Sequence, residues 1–351
     1  MKNIIRIIVW TLIALVMQNG IFAYFEYFYL GGDVVINATK VEDNKKDVDE
    51  DNTDGISIKS GVKDINVSMD GRYAAYIDEG TLKVFDSYKN KELMFDCDTK
   101  GDIECYKWLN DENIILVIQK VIEDGATYFE PVSYDVNKNE ARELADFHYN
   151  KMRIQTENEN DKIENISFST STHSLYIKVR KANGLCDLYY SNVMNVVNKV
   201  RRNKEIGNIV VPVTNTNAVF EMDNNVTVLN SPDNIVIDGV ENAKLLGSDY
   251  DDNVYIGSEE NGKITAIYYK NLDDTESDWS AYYLDKPVAK NNISISYAGK
   301  VYIVNTSTKS VNELSENNVF DYEGKYLQTY KDGFITILDD KLIKNNVSSE
   351  N

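Results

Sequence analysis

Past Phe25 the chain runs in short blocks. Apolar strands of about four to eight residues, rich in Val, Ile, Tyr and Leu, are separated by polar turns, and no long helical period occurs. Two blocks nearly repeat each other: Ser68–Asp86 reads SMDGRYAAYIDEGTLKVFD and Asp321–Asp339 reads DYEGKYLQTYKDGFITILD. Each sets an acid, a Gly, a basic residue and a Tyr in order, then an apolar strand, a second Gly, another strand and a closing Asp. Gly71 and Gly324 suit a tight turn that needs positive φ. The next turn holds Asp78-Glu79-Gly80 in one copy and Lys331-Asp332-Gly333 in the other.

A second phrase recurs between these ends. VFDSYKNKELMFD from Val84, VSYDVNKNEARELAD from Val132, LYYSNVMNVVNKV from Leu188 and VYIVNTSTKSVNEL from Val301 each end a strand near Asp86, Asp135, Asn192 or Asn305. Seven to nine residues later comes Leu93, Leu144, Val200 or Leu314. The polar middles supply turn formers that bond their own backbone. VMNVVNKV resembles a weak amphipathic helix in isolation, but its place in the repeat predicts a turn and a strand. WLNDENIILVIQ from Trp108 and FSTSTHSLYIKVR from Phe168 repeat the first phrase more weakly.

A unit of roughly 40 residues and four strands is a propeller blade. The predicted fold is therefore an all-β propeller of four-stranded blades, seven in number, with six or eight as the alternatives. Blades fall near 61–97, 102–146, 161–204, 206–240, 241–286, 287–315 and 316–345, the fourth having the weakest pattern. The last unit is short of an outer strand, and GISIKS from Gly55 has the alternation to supply it. Such closure removes exposed sheet edges and sets the two matching phrases side by side.

The first thirty residues differ. Ile7 to Phe25 is a run of 19 residues without a charge. As a helix it spans about 28 Å, close to a bilayer core of about 30 Å. Lys2 and Arg6 precede it and Glu26 and Asp33 follow, so the positive-inside rule puts the amino end in the cytoplasm. Cleavage as a signal peptide would want small residues near Ala23, where Ile21 and Phe22 stand instead. The expected division is a cytoplasmic tip and transmembrane anchor over 1–30, an acidic tether over 31–54, the propeller over 55–345 and a disordered tail over 346–351. The expected location is the cell membrane, single-pass, with the carboxyl-terminal domain extracytoplasmic, or secreted if the anchor is cleaved.

Composition narrows the partners. The 351 residues carry 37 basic and 57 acidic side chains, a formal charge of −20, which repels a phosphate backbone and argues against nucleic acid. The short basic cluster Lys199–Lys204 reads as a solvated loop. Three cysteines without a CxxC pattern make neither a disulfide framework nor a zinc site. A Cys97–Cys105 bridge is open in an oxidising compartment, with small buried residues as the plainer alternative. Tyr is abundant at 24, as ordinary strand filling or as a carbohydrate platform.

The candidate chemistry is sparse. Asp47, Asp49 and Asp51 alternate, but Gly55 falls at the wrong place for an EF-hand loop. In SDYDDN, alternating Asp249, Asp251 and Asn253 present oxygens that suit Ca²⁺, against the plainer reading of a solvated hairpin tip. Asn271–Asp278 is another acidic cluster. The two histidines, His148 and His173, belong to no HxH or HExxH pattern, and no motif nominates a serine beside them. The sequence thus names no catalytic residue and no cofactor.

MDGRYAAY, the SPDN at Ser231 and the LYYSN and VFDSY phrases resemble TolB-like propellers and the propellers that precede the hydrolase domain of dipeptidyl peptidase IV and prolyl oligopeptidases. The resemblance covers about 60–345 and rests on structural turns. Where the family turn reads SPDG, Met69 replaces Pro in one copy and Asn234 replaces Gly in another. It implies a propeller that binds proteins or gates a neighbouring enzyme. No nucleophile elbow of the GxSxG type occurs in these 351 residues, so no catalytic residue carries over. The expectation is a non-catalytic module that binds a protein or cell-envelope polymer on one propeller face and touches the membrane through its first helix. The alternatives are an exported glycan hydrolase or lyase, with Ca²⁺ as its candidate cofactor, and a sensor that signals through another membrane protein.

Overall fold

The structure is a computed structural model and describes residues 56–110 and 112–347, with Arg6, Trp10, Leu15 and 17–19 near the amino end. The chain divides into two compact units, Met1–Asn52 and Thr53–Asn351. In the first, the described residues are helical, and Asn19 Nδ2 donates to Leu15 O at 2.8 Å. Among the described residues no helix is long and apolar enough to cross a membrane. Most of the expected anchor and the whole of the tether lie outside the described residues, as do 348–351 of the expected tail.

The second unit is all β, in seven sheets. Blade 1 holds β2 (Lys63–Val67), β3 (Tyr73–Asp78), β4 (Thr81–Asp86) and β5 (Lys91–Met94). Blade 2 holds β6 (Asp102–Trp108), β7 (Ile114–Glu123), β8 (Ala126–Asp135) and β9 (Glu140–Glu143). Ten-residue β8 leaves room on its outer edge for a further short strand, β10 (Ile154–Gln155). Blade 3 is β11 (Lys162–Ser169), β12 (Ser174–Arg180), β13 (Cys186–Ser191) and β14 (Val197–Lys204). Blade 4 has only β15 (Ile206–Val210), β16 (Val219–Met222) and β17 (Asn225–Val228). Blade 5 is β18 (Ala243–Ser248), β19 (Asn253–Glu260), β20 (Lys263–Asn271) and β21 (Ser280–Val288). Blade 6 is β22 (Ile293–Ile295), β23 (Val301–Asn305), β24 (Ser310–Glu313) and β25 (Asn318–Asp321). Blade 7 is β26 (Lys325–Tyr330), β27 (Gly333–Leu338) and β28 (Lys341–Asn346), completed by β1 (Ile56–Ser57).

First strands of successive blades touch in turn, and β26 touches β2, so the ring closes at seven. The core is likewise sevenfold. Each apolar cluster lies between two neighbouring blades; one joins Tyr73, Ala75, Leu82 and Val84 to Trp108, Ile115, Val117 and Tyr134. A strand inside a blade is therefore buried on both faces, which is why β7 and β12 read as nearly continuous apolar runs rather than alternating ones.

Closure joins the ends. Ile56 pairs with Leu342 and Ser57 with Lys341, and Ile58 N donates to Asp340 O at 2.9 Å. Ile56, Ile58, Val67, Ala74 and Tyr76 share one core with Tyr330, Ile335 and Leu342. The Gln328 side chain accepts from Val67 N and donates to Val67 O, both at 2.9 Å, and Lys331 N donates to Met69 O at 2.8 Å. The strand from Ile56 thus stands where the pattern placed it, and the two matching phrases are spatial neighbours, but they are not the same hairpin: Ser68–Asp86 spans the second and third strands of blade 1, and Asp321–Asp339 the first and second of blade 7.

The repeated turns are held by side chains. Asp86 Oδ1 accepts from Tyr88 N and Lys89 N, Asp135 Oδ1 from Lys138 N, Asn192 Oδ1 from Met194 N, and Asn305 Oδ1 from Ser307 N and Thr308 N. In each, a residue at positive φ closes the loop: Asn90, Asn139, Asn195 and Lys309. Ser68, Gly71 and Tyr73 form the equivalent bonded turn in the first phrase.

Three expectations need correction. The unit at 206–240 has three strands, because Asn230–Val240 follows β17 as irregular chain with a single bridge, Thr227 to Asn234. Its Ile235 and Ile237 pack inward, so the segment covers the open edge without forming a ladder. The boundary placed at 315–316 falls too early, since β25 pairs with β24 and ends blade 6. Lys199–Lys204 is not a loop but most of outer strand β14, paired with β13.

Candidate binding face at the channel mouth

Every turn from a first to a second strand leaves the same side of the disc, because the first strands run the same way around the ring. On that side the channel opens into two cavities of about 190 and 200 Å³. They share Lys107, Trp108, Leu109 and Asn110. Ile166, Phe168, Val210 and Val211 line the first, and Ile295, Gln328, Thr329 and Lys331 line the second.

The inner edges of the first strands carry backbone groups that no further strand pairs, and side chains from adjoining blades meet some of them. Trp108 Nε1 donates to Asn66 O at 3.2 Å, Asn208 Nδ2 to Leu245 O at 2.9 Å, and Lys107 Nζ to Ile166 O at 2.7 Å. Lys178 donates to Ile206 O and Gly207 O and lies 3.5 Å from the Glu164 carboxylate. Lys107 differs from Lys178 in two respects: it is exposed where Lys178 is buried, and among the described residues it has no acidic partner. The surrounding ring holds the Lys107 ammonium below the ordinary lysine range by desolvation, while water still reaches it along the channel.

The Ca²⁺ candidates sit on this face, in the first turn of blade 5. Asp249 is buried, and its Oδ1 accepts from Asp251 N and Asn253 N. Its Oδ2 accepts from Asn253 Nδ2 at 2.9 Å and Tyr255 OH at 2.8 Å. The carboxylate is therefore saturated by protein donors, and Asn253 turns its amide nitrogen toward it. Asp251 is exposed and adds only its backbone N–H. Asp252, which alternation passed over, accepts from Thr214 N at 3.2 Å and also from Val213 N, tying blade 5 to blade 4. Among the described residues no group of three His, Cys, Asp or Glu is placed to hold a metal ion. The same loop presents Tyr250, 60% exposed, whose ring stands edge-on to Tyr297 at 5.4 Å, beside the second cavity.

The remaining candidates are scattered. His173 lies at positive φ in the first turn of blade 3, its ring against Phe168. His148 is exposed in the loop after β9, its N–H bonded to Asp146. All three cysteines are free thiols, and burial pushes Cys105 up to about 12 and Cys186 to about 11. Of the basic cluster, Lys199 bonds Asp187 at 2.7 Å and Glu157 at 3.1 Å, and Arg202 also reaches Glu157.

No family model and no curated protein matches the chain. Solved structures do. A prolyl endopeptidase chain aligns with a TM-score of 0.51 at 12% identity, over 74% of this chain and 42% of that one. A chain of the mitotic checkpoint complex aligns with a TM-score of 0.49 at 12% identity, over 84% and 93%. The β-propeller domain of Cps50 (Swd1) from Myceliophteria thermophila aligns with a TM-score of 0.46 at 10% identity, over 75% and 86%. Likeness at this level of identity is one of fold, and the fold is the β-propeller.

Sequence reasoning missed the channel mouth. Lys107 and Gln328 stand among ordinary strand residues; Gln328 lies inside the second matching phrase, but the aligned residue of the first is Ala75, so the repeat signals no role for it. A lysine on a first strand was no signal, since β2, β11, β18 and β26 carry one as well.

Proposed function

We propose that this protein is a membrane-anchored, extracytoplasmic β-propeller that binds a protein or cell-envelope polymer on the face carrying the first turns, without chemistry of its own. The observation that carries this reading is the channel mouth. Its lining is apolar or neutral-polar apart from Lys107 and Lys331, and an aromatic pair, exposed Tyr250 against half-buried Tyr297, stands at its rim. A rigid ring with convergent loops favours recognition, because the scaffold holds the loops in place before a partner arrives. The uncharged run Ile7–Phe25 supports the anchor, and the charge-dense stretch before Asp54 supports a tether. The turn phrases support a TolB-like relationship.

The test is crosslinking from intact cells with the full chain, followed by identification of what is captured. Recovery of one dominant envelope protein or wall polymer, lost in Tyr250→Ala, is the expected result. Hydrolysis of wall polysaccharide by the purified protein, abolished by chelation, would overturn the non-catalytic reading.

A further inference from the structure

Lys107 is more than its seam requires. At other inner edges Trp108 and Asn208 satisfy a neighbouring carbonyl with a neutral side chain, and Gln328 does so for both polar groups of Val67. A charge is not needed for that role. An ammonium has three donors, and Lys107 spends one on Ile166 O. Where a second seam does use a lysine, Lys178, a carboxylate stands by at Glu164. In a chain of net charge −20, Lys107 lies between two cavities and, among the described residues, meets no acid. The side chain is open to water in the channel, so its remaining donors are accessible to a ligand, and a carboxylate there would supply the counter-charge that the surrounding lining lacks.

We propose that the channel mouth is a carboxylate-binding site anchored by Lys107. The chemistry favours a monoanion. In the first cavity Lys107 is the one charged lining residue and balances one charge, whereas a phosphate dianion would add a second to an acidic protein. Two cavities of about 200 Å³ or less admit an acidic side chain, a chain-terminal carboxylate or a small free acid. Asn110, Gln328 and Thr329 add neutral hydrogen-bonding groups in the lining, and Trp108 adds an apolar wall. The inference rests on the proposed binding face and names what that face recognises.

The test uses the full chain in detergent, labelled with ¹³C-lysine and ¹⁵N-tryptophan and titrated with sodium acetate or with the capped peptide Gly-Asp-Gly, against sodium chloride at equal ionic strength. Both the Lys107 Cε signal and the Trp108 indole signal are expected to shift saturably with a carboxylate and not with chloride. Lys107→Gln retains a donor for Ile166 O but not the charge, and the Trp108 response to carboxylate should weaken at least about tenfold. Tighter binding of the peptide than of acetate identifies a partner's acidic group as the source; equal or tighter binding of acetate identifies a free acid. Absence of a saturable shift in the unsubstituted protein overturns the proposal whether or not the variant folds. So does an unchanged response in Lys107→Gln. If crosslinking captures the same partner with and without Lys107, this inference fails while the binding role stands. If neither form captures a partner, the binding role fails while the titration still decides the carboxylate site.

Discussion

The two glycines of the matching phrases show how one residue type does different work. Gly324 has φ +79°, and a β-carbon there would lie 2.1 Å from Ile337 O. Gly80 has φ +81°, but nothing lies within 4 Å of its added carbon. Gly80→Ala should cost about 1 kcal/mol, the strain of a left-handed backbone alone. Gly324→Ala adds a backbone collision and should cost about 3 kcal/mol or more. Denaturant midpoints of the two variants check this, and equal losses would contradict it. Both glycines were visible in the sequence as turn formers. The difference between them was not, because it depends on how closely another strand's carbonyl approaches.

Single elements take their meaning from their neighbours. The cluster at Lys199–Lys204 looks like loose positive charge, yet in β14 it faces Glu157 from the connection between blades 2 and 3. Hydrogen bonds from Lys181 and then Lys199 hold the Glu157 carboxyl down, from an ordinary 4.5 to about 2. A depressed carboxylate stabilises the fold above its unfolded-state value and loses that contribution as pH falls through its folded value. The contribution is therefore full above about pH 4.5 and gone near pH 2. Glu157→Gln should lower the melting temperature by about 1–2 °C at pH 6, the pair being solvent-screened, and the gap should close on acidification to about pH 2. A gap independent of pH would show that the ion pairs are not its cause. Blade 4 makes the same point in reverse. Its segment Ile235–Ile237 has strand composition but packs as irregular chain, because burial of two isoleucines does not require a ladder.

At the scale of the whole molecule the decisive contact is the joint between the first and last blades. β1 is only two residues long, yet it covers the outer edge of β28 and brings Ile56 and Ile58 into a core shared by both ends. Ile56→Ser with Ile58→Ser should therefore open the ring rather than merely loosen its amino end. Backbone amides of β28 and β2 should exchange faster with solvent, while those of β13, across the ring, should hardly change. Uniform acceleration throughout the domain would instead mean that the seven blades unfold as one unit. The cost should be about 3 kcal/mol, given the apolar area exposed.

Much of this architecture was legible in the chain itself. Repeated turn phrases, short apolar strands and a displaced outer strand at Gly55 specify blades and closure, because a turn is a local matter of side chains bonding their own backbone, as Asp86 and Asn305 do. The oxygen-bearing residues Asp249, Asp251 and Asn253 were visible too, but their alternation carried no information on what they bond, and the fold aims the Asp249 carboxylate at Tyr255 and its own turn. The channel mouth could be read from no segment. Lys107, Gln328, Tyr250 and Tyr297 come from four blades and meet only because the ring closes, and whether a lysine has a counter-charge depends on everything around it.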